Sequence, residues 1–398
     1  MLRNLGYNRK TLWTLCLCGE NRPQLLLHHY YMKILEVVFN LRPGGAERLA
    51  VDLSNELSKT NDVTLMAIKD DTVEPERDLF YAPELSERVT YKNVGIKKGY
   101  SVRKVIKIYK AIKEEKADIV HLHGNKMPYY CILAIFLLNR KTKFYQTIHN
   151  DVHNGYDTLF YQFLFKTVGY QQKMGVVALS ETNYHELIKV YPKVKGACIT
   201  NGRAPIVPTD RFEETKKEIS SYKGTADSRI YLHVARCSPV KNQTLLVEAF
   251  NKLVEKGYHA DLVIVGGGFE SELGKSIRTK AGKNVHFIGP RTNVSDYMLH
   301  ADAFCLSSDF EGMPITILEA SLAGVPIVST AVCGAVDVVE SGKNGVLSDS
   351  HTVEDYVSAL EYSYLHLREL KGTAMTMKDD SPYTIETCTR KYIEFFNR

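Results

Sequence analysis

The chain has 398 residues, 44% hydrophobic and 24% charged, with a formal net charge of +5. Those are the proportions of an ordinary soluble globular protein, with length for two or three domains that each bury a core. Its eight cysteines (16, 18, 131, 198, 237, 305, 333 and 388) include no CxxC pair, zinc spacing or dense framework of a short chain. This excludes a disulfide scaffold or zinc module and makes reduced, cytosolic thiols the expectation.

In chain order, the apolar run 12–18 is too short to span a bilayer, and no convincing small-residue cleavage site follows it. A strand pattern opens at Met32, Met-Lys-Ile-Leu. Residues 1–31 are therefore expected to be a disordered tail or a start assigned upstream of the true one, with a short signal peptide as the weaker alternative. From there, strand patterns fall at 33–40, 63–68, 89–94, 119–123, 144–149, 176–179 and 197–200. They resume at 230–235, 262–265, 285–288, 303–306, 327–329 and 345–347. Helical patterns intervene, as at 46–59, 102–116, 243–256, 315–323 and 353–367. Near-continuous apolar strands alternating with helices predict an α/β fold of doubly wound parallel sheets with right-handed crossovers. The turn-rich stretch 201–212, with two prolines, predicts a connector between two Rossmann-like halves facing across a cleft.

Charge divides between the halves. Residues 32–205 hold 26 Lys+Arg against 19 Asp+Glu, and residues 206–398 hold 21 against 26. Part of the excess lies in the helix near 102–116, where a Lys-rich face runs beside Val102, Val105, Ile106, Tyr109 and Ile112. Two readings stay open: a solvated face of a sheet-covering helix, or a dock for anionic lipid head groups. Nucleic acid is disfavoured, because no aromatic-interleaved basic motif accompanies the charge.

Four constellations carry chemistry. Glu311-Gly-Met-Pro-Ile-Thr-Ile-Leu-Glu319 places two carboxylates either side of a helix start, with Pro314 at the first helical position. The free N–H groups of residues 315 and 316 make an anion site there. A diphosphate bearing a sugar at one end and a ribose at the other would use all three features. Arg42-Pro-Gly44-Gly45-Ala-Glu-Arg48, after the first strand, reads either as a phosphate-facing loop or as a tight βα turn. Arg236 and Lys241, beyond the strand 230–235, lie where open α/β sheets bind ligands, and read as diphosphate-neutralising cations or solvated ones. His149, in Tyr145-Gln-Thr-Ile-His149-Asn-Asp151, stands at a strand's carboxyl end, and reads either as a cleft-facing side chain or as a satisfied structural histidine. His121 and His123 alternate with Leu122 and share one sheet face, where satisfied structural histidines are the commoner outcome.

Gly-Gly-Ala-Glu-Arg, Ala-Arg-x4-Lys-Asn, Asn284-Val-x-Phe-x-Gly289 and Glu-Gly-x-Pro-x4-Glu-Ala together resemble glycosyltransferase family 4 (group 1 glycosyl transferases) in order and spacing, from Met32 nearly to the end. The resemblance implies the GT-B fold and a retaining, nucleotide-sugar-dependent transferase. It divides the chain into an acceptor-binding domain at 32–205, a nucleotide-sugar-binding domain at 206–380, and a helix at 381–398 packing back on the first. It assigns Glu319 to the donor ribose and Glu311 to the donor sugar. It gives Gly312, Met313, Pro314, Ile315 and Thr316 to sugar and phosphate contacts, and Arg236 and Lys241 to the diphosphate. Gly44 and Gly45 fall on the donor-phosphate loop, Gly289 and Arg291 on the base-recognition loop, and His149 on a cleft histidine near the donor sugar. Glu311, Arg236, Lys241 and His149 are its implied catalytic set.

The chemistry implied is front-face displacement with no protein nucleophile. No metal and no cofactor are expected, since no Asp-x-Asp occurs. UDP is the preferred nucleotide on family frequency, with GDP open. The expected partners are a nucleotide sugar, a glycan or lipid-linked acceptor of surface polysaccharide synthesis, and an anionic membrane surface. The expected location is the cytoplasm, with peripheral attachment to the inner face of the membrane as an option. Two alternatives are a sugar-nucleotide epimerase of the same fold, disfavoured by the paired glutamates, and a non-catalytic nucleotide-sugar-binding protein.

Overall fold

The computed structural model describes residues 31–138, 140–149 and 174–398. The expectation for residues 1–31 falls, Tyr31 apart, outside the described residues, as do Asn150 and Asp151.

Two all-parallel sheets organise the chain. The first orders its seven strands β3-β2-β1-β4-β5-β6-β7: β1 Lys33–Val38, β2 Asp62–Lys69, β3 Val89–Ile96, β4 Ile119–His123, β5 Lys143–Ile148, β6 Met174–Ala178 and β7 Lys195–Cys198. The second orders six as β10-β9-β8-β11-β12-β13: β8 Arg229–Val234, β9 Ala260–Val265, β10 Val285–Gly289, β11 Ala303–Leu306, β12 Ile327–Thr330 and β13 Gly345–Ser348. Strands such as Ala260–Val265 are buried at every position, as sheets covered by helices on both faces require. Strand order reverses between β1 and β4 in one sheet and between β8 and β11 in the other. The crevice for a ligand in an open α/β sheet lies at the carboxyl ends of those strands.

Among the strand patterns, 197–200 sits two residues late; β7 is an edge strand with one exposed and three partly buried residues, so its apolar signal is weak. His149 lies one residue beyond β5, not in it. The connector 201–212 is irregular up to the helix Phe212–Tyr222. It is pinned by the closing helix of the chain: Arg203 N–H donates to Tyr383 C=O at 2.9 Å, and Ile385 N–H to Arg203 C=O at 3.0 Å.

That closing helix, Ile385–Phe396, buries Ile385, Cys388, Thr389, Tyr392, Phe395 and Phe396, one stripe at helical spacing. The stripe joins Leu49, Leu53 and Leu57 of the helix Gly45–Leu57 and Ile34 and Val63 of the first sheet in one core cluster. Chain end and first domain are therefore bound by burial of large apolar side chains, about 25 cal/mol for each Å² removed from water. The two-sheet arrangement is the GT-B architecture.

Candidate active site

The loop after β1 leads into the helix Gly45–Leu57 through Gly44, whose backbone is extended and whose missing side chain leaves room for the Glu47 carboxylate. A Cβ on Gly45 would stand 3.3 Å from Ile315 Cγ1 of the second domain. The starts of the helices Gly45–Leu57 and Ile315–Ala323 thus meet across the cleft, each presenting N–H groups that precede its first intrahelical bond.

In the second domain, β8 is followed by Arg236, an exposed side chain, and by a single turn Pro239–Lys241. Asn242 then adopts a left-handed conformation (φ +43°) and caps the helix Gln243–Glu255, its side chain accepting from Leu245 N–H at 3.2 Å. At the end of that turn Lys241 forms an ion pair with Glu311 Oε1, which also accepts from Ser308 Oγ at 2.6 Å. The Lys241 carbonyl accepts from Ser307 Oγ at 2.9 Å. Loops from two neighbouring strands, β8 and β11, are thereby stitched into one surface. Burial raises the Glu47 carboxyl above the usual carboxylate range, while nearby Lys69 and Arg236 draw it down. Arg236 and the Gly44–Gly45 loop accordingly share one electrostatic neighbourhood.

Gly312 packs so closely that a Cβ would lie 2.8 Å from the His149 carbonyl oxygen. The next carbonyl, that of Met313, accepts from Asn201 Nδ2 at 3.2 Å. Asn183 Nδ2 and Asn201 Oδ1, both buried beside this loop, have no hydrogen-bond partner among the described residues. Pro314 is not the first helical residue but the extended residue before it (φ −69°, ψ 121°), so the first helical N–H groups belong to Ile315 and Thr316. Ile317 N–H then bonds the Pro314 carbonyl at 3.2 Å. Glu319, one turn into the helix, accepts from Arg203 Nε at 2.8 Å.

The two glutamates therefore have different partners, a lysine of their own domain for Glu311 and the arginine of the connector for Glu319. His149 completes the group from the first domain: its Nε2 stands 3.3 Å from His123 Nδ1. Gly289 ends β10 in a left-handed conformation (φ +73°). Arg291 is engaged elsewhere, its Nε donating to Tyr297 Oη at 2.9 Å and its Nη2 to Glu218 at 3.0 Å, which ties this loop to the helix Phe212–Tyr222.

Three residues that sequence reasoning missed join the site or its support. Arg203 also donates to Asp52 Oδ2 at 2.7 Å, and Asp52 pairs with Arg48 at 3.2 Å, so a connector residue bolts Glu319 to the first helix. Glu36 lies fully buried in β1 against His121 and His123. A lone acid inside the apolar run Ile-Leu-Glu-Val-Val was the available signal for it. Nothing in the connector's composition marked Arg203.

Two Rossmann-like domains that meet where the glycine loop of one approaches a helix start of the other define the class. Residues 43–203 match the model of Glycosyltransferase Family 4, and residues 213–370 match that of Glycosyl transferases group 1. The chain belongs to this family. It is 25% identical over 244 residues to an uncharacterized glycosyltransferase of Methanocaldococcus jannaschii, covering 58% of this chain and 59% of that protein. It is 25% identical over 293 residues to the UDP-Gal:alpha-D-GlcNAc-diphosphoundecaprenol alpha-1,3-galactosyltransferase of Escherichia coli, covering 71% of this chain and 73% of that one. The structure is similar to Anabaena HepE in complex with UDP and glucose, with TM-score 0.74 and 18% identity over 92% of this chain and 100% of that one.

Proposed function

We propose that the chain is a retaining glycosyltransferase that moves a hexose from a nucleotide-diphosphate sugar, UDP preferred, to a hydroxyl of a glycan or lipid-linked glycan in polysaccharide synthesis. One observation carries this reading. Gly45 of the first domain meets Ile315 at the start of a second-domain helix, and four residues before Ile315 the Glu311 carboxylate is paired with Lys241.

A donor diphosphate seated between the helix starts takes the Lys241 ammonium from Glu311. The Glu311 carboxylate is thereby released toward the sugar, where it hydrogen-bonds a ring hydroxyl and stabilises positive charge building at the anomeric carbon. The ribose hydroxyls donate to Glu319. As the anomeric C–O bond breaks, the leaving diphosphate oxygen takes the acceptor hydroxyl's proton. The new bond forms on the same face, so configuration is retained without a protein nucleophile. Arg236, Lys241 and the N–H groups of Ile315 and Thr316 stabilise charge on the leaving group, the task a metal performs elsewhere, and the reaction is proposed to be metal-independent.

A lipid-linked acceptor has its own support. The helix Val102–Glu115 turns Val105, Ile108 and Ile112 inward, while Val102 and Ile106, on its apolar side by sequence, are 69% and 40% exposed among its lysines. Apolar side chains set among lysines suit an anionic lipid surface, and the site is proposed to work at one. No helix among the described residues is long and apolar enough to cross a membrane.

Two experiments test the proposal. A panel of nucleotide sugars is screened by thermal shift; the true donor, at a hundredfold excess over its Kd, adds about 2.7 kcal/mol of stability. A panel with no stabilising member would contradict the donor assignment. Flotation with vesicles is expected to carry the protein only when anionic lipid is present, and equal recovery without it would remove the membrane surface.

A further inference from the structure

The β1–β4 register sets Glu36 opposite His121, and β4–β5 sets His123 opposite Thr147, two residues before His149. Glu36, His123 and His149 therefore step across three adjacent strands toward the carboxyl ends, where the cleft lies. Glu36, His121 and His123 are the carboxylate and imidazole trio of a metal site, but the spacing does not suit one. Glu36 Oε2 is 2.6 Å from His123 Nε2 and 2.8 Å from His121 Nδ1. Ligands around one ion at about 2 Å stand roughly 3 Å or more apart. These atoms are closed on one another.

The proton positions follow from donor and acceptor counting. Burial alone would raise the Glu36 carboxyl, but His121 and His123 hold it at about 2, so it is an ionised acceptor. His123 Nε2 must then carry the hydrogen that faces it. Burial and His121 push His123 down to about 4, against the pull of Glu36, so the ring is neutral and its Nδ1 is a bare lone pair. That lone pair faces His149 Nε2 at 3.3 Å, so His149 must donate from Nε2. His149 is itself held neutral, chiefly by burial. Its Nδ1, with no hydrogen-bond partner among the described residues, is left as an acceptor. His121 stands outside the relay. Its Nδ1 meets Glu36 off the line of a hydrogen bond, and its Nε2 pairs with Thr147 Oγ1 at 2.8 Å, which Tyr392 Oη also meets at 2.8 Å.

We propose that Glu36 and His123 are positioning residues that lock His149 in the Nε2–H tautomer, so that it offers the ligand an Nδ1 lone pair and no proton. This rests on the reading of His149 as a donor-sugar neighbour, and it adds a specificity rule. The group that meets His149 must be a hydrogen-bond donor, a sugar hydroxyl or an acetamido N–H. A carboxylate, as in a uronic acid, faces a lone pair and is rejected.

The full chain, labelled with 15N-histidine, is tested by long-range 1H–15N correlation without ligand, with His149→Gln locating the His149 signals. The expected result is a protonated Nε2 and a bare Nδ1. A proton on Nδ1, or an even mixture of tautomers, would overturn the relay whether or not the variants fold. In Glu36→Gln the amide can face His123 with either its oxygen or its NH2, and His149 is expected to become a mixture. An unchanged His149 signal in a folded Glu36→Gln protein would also overturn it. In the same variant kcat is expected to fall about 10- to 100-fold with the donor KM within about threefold, the usual size of an outer-shell loss. Because the tautomer is read without donor, it holds or fails independently of the glycosyltransferase reading. Adding the best nucleotide sugar tests that reading separately: the bare Nδ1 resonance is expected to shift, and an unmoved one places His149 away from the sugar.

Discussion

Arg203 holds Glu319 with one nitrogen and Asp52 with another, Nε to Oε1 at 2.8 Å and Nη1 to Oδ2 at 2.7 Å. One guanidinium from the connector therefore fixes the proposed ribose ligand and ties it to the helix that begins at Gly45. All three side chains are buried, so none of these charges is left to water. The planar fork of arginine suits this double role, which the single point charge of lysine does not fill.

Arg203→Ala strands the buried Glu319 carboxylate and takes one of two arginines from the buried Asp52. Breaking such a pair costs about 3–5 kcal/mol, and Arg48, still on Asp52, keeps the loss near the lower figure. Denaturant unfolding measures it. Asp52→Asn added to Arg203→Ala should recover part of the loss, whereas strict additivity of the two changes would show that the residues are not coupled.

Gly312→Ala separates positioning from stability. The new methyl meets the His149 carbonyl at 2.8 Å, closer than carbon and oxygen pack, so the loop before Ile315 must shift. Displacement of reacting groups by about 1 Å costs on the order of a hundredfold in rate. A large fall in kcat is expected with an unfolding midpoint close to wild type, and steady-state kinetics beside thermal unfolding tests both halves.

Stability should fall as the solution is acidified from near neutrality. Burial first, then neighbouring charge, holds His123 and His233 at about 4 in the fold, against 6.5 unperturbed. Between these values the unfolded chain binds protons that the folded one does not, so stability declines as pH drops, by up to about 1.4 kcal/mol per pH unit for each ring. The Glu36 contribution has its own window, intact above 4.5 and lost as pH falls toward about 2. Urea unfolding between pH 4.5 and 7 should show the histidine slope, and His233→Gln should flatten it. An unchanged slope in that variant would clear His233.

The fold was legible where local pattern decides it. Every strand pattern produced a strand because most positions of these parallel strands are buried and apolar, whereas the closing helix Ile385–Phe396 was implied by the family resemblance and not by local pattern. What stayed hidden depends on chain-distant neighbours. Glu36 and His123 are 87 residues apart and meet only through the β1–β4 register; Arg203 and Glu319 are 116 apart and meet only because the connector passes the helix Ile315–Ala323. Periodicity also did not tell which half of an apolar stripe faces inward, so Val102 and Ile106 emerged on the surface.

The most direct measurement is release of nucleoside diphosphate from the best donor in the presence of acceptor, for wild type, Glu319→Ala and Lys241→Ala, with the product's anomeric configuration read by proton NMR. The account predicts turnover by wild type with the donor's configuration kept. It predicts at least a tenfold loss of kcat/KM in each variant, about 1.4 kcal/mol of lost transition-state stabilisation. Unchanged turnover in both variants, or an inverted product, would contradict it.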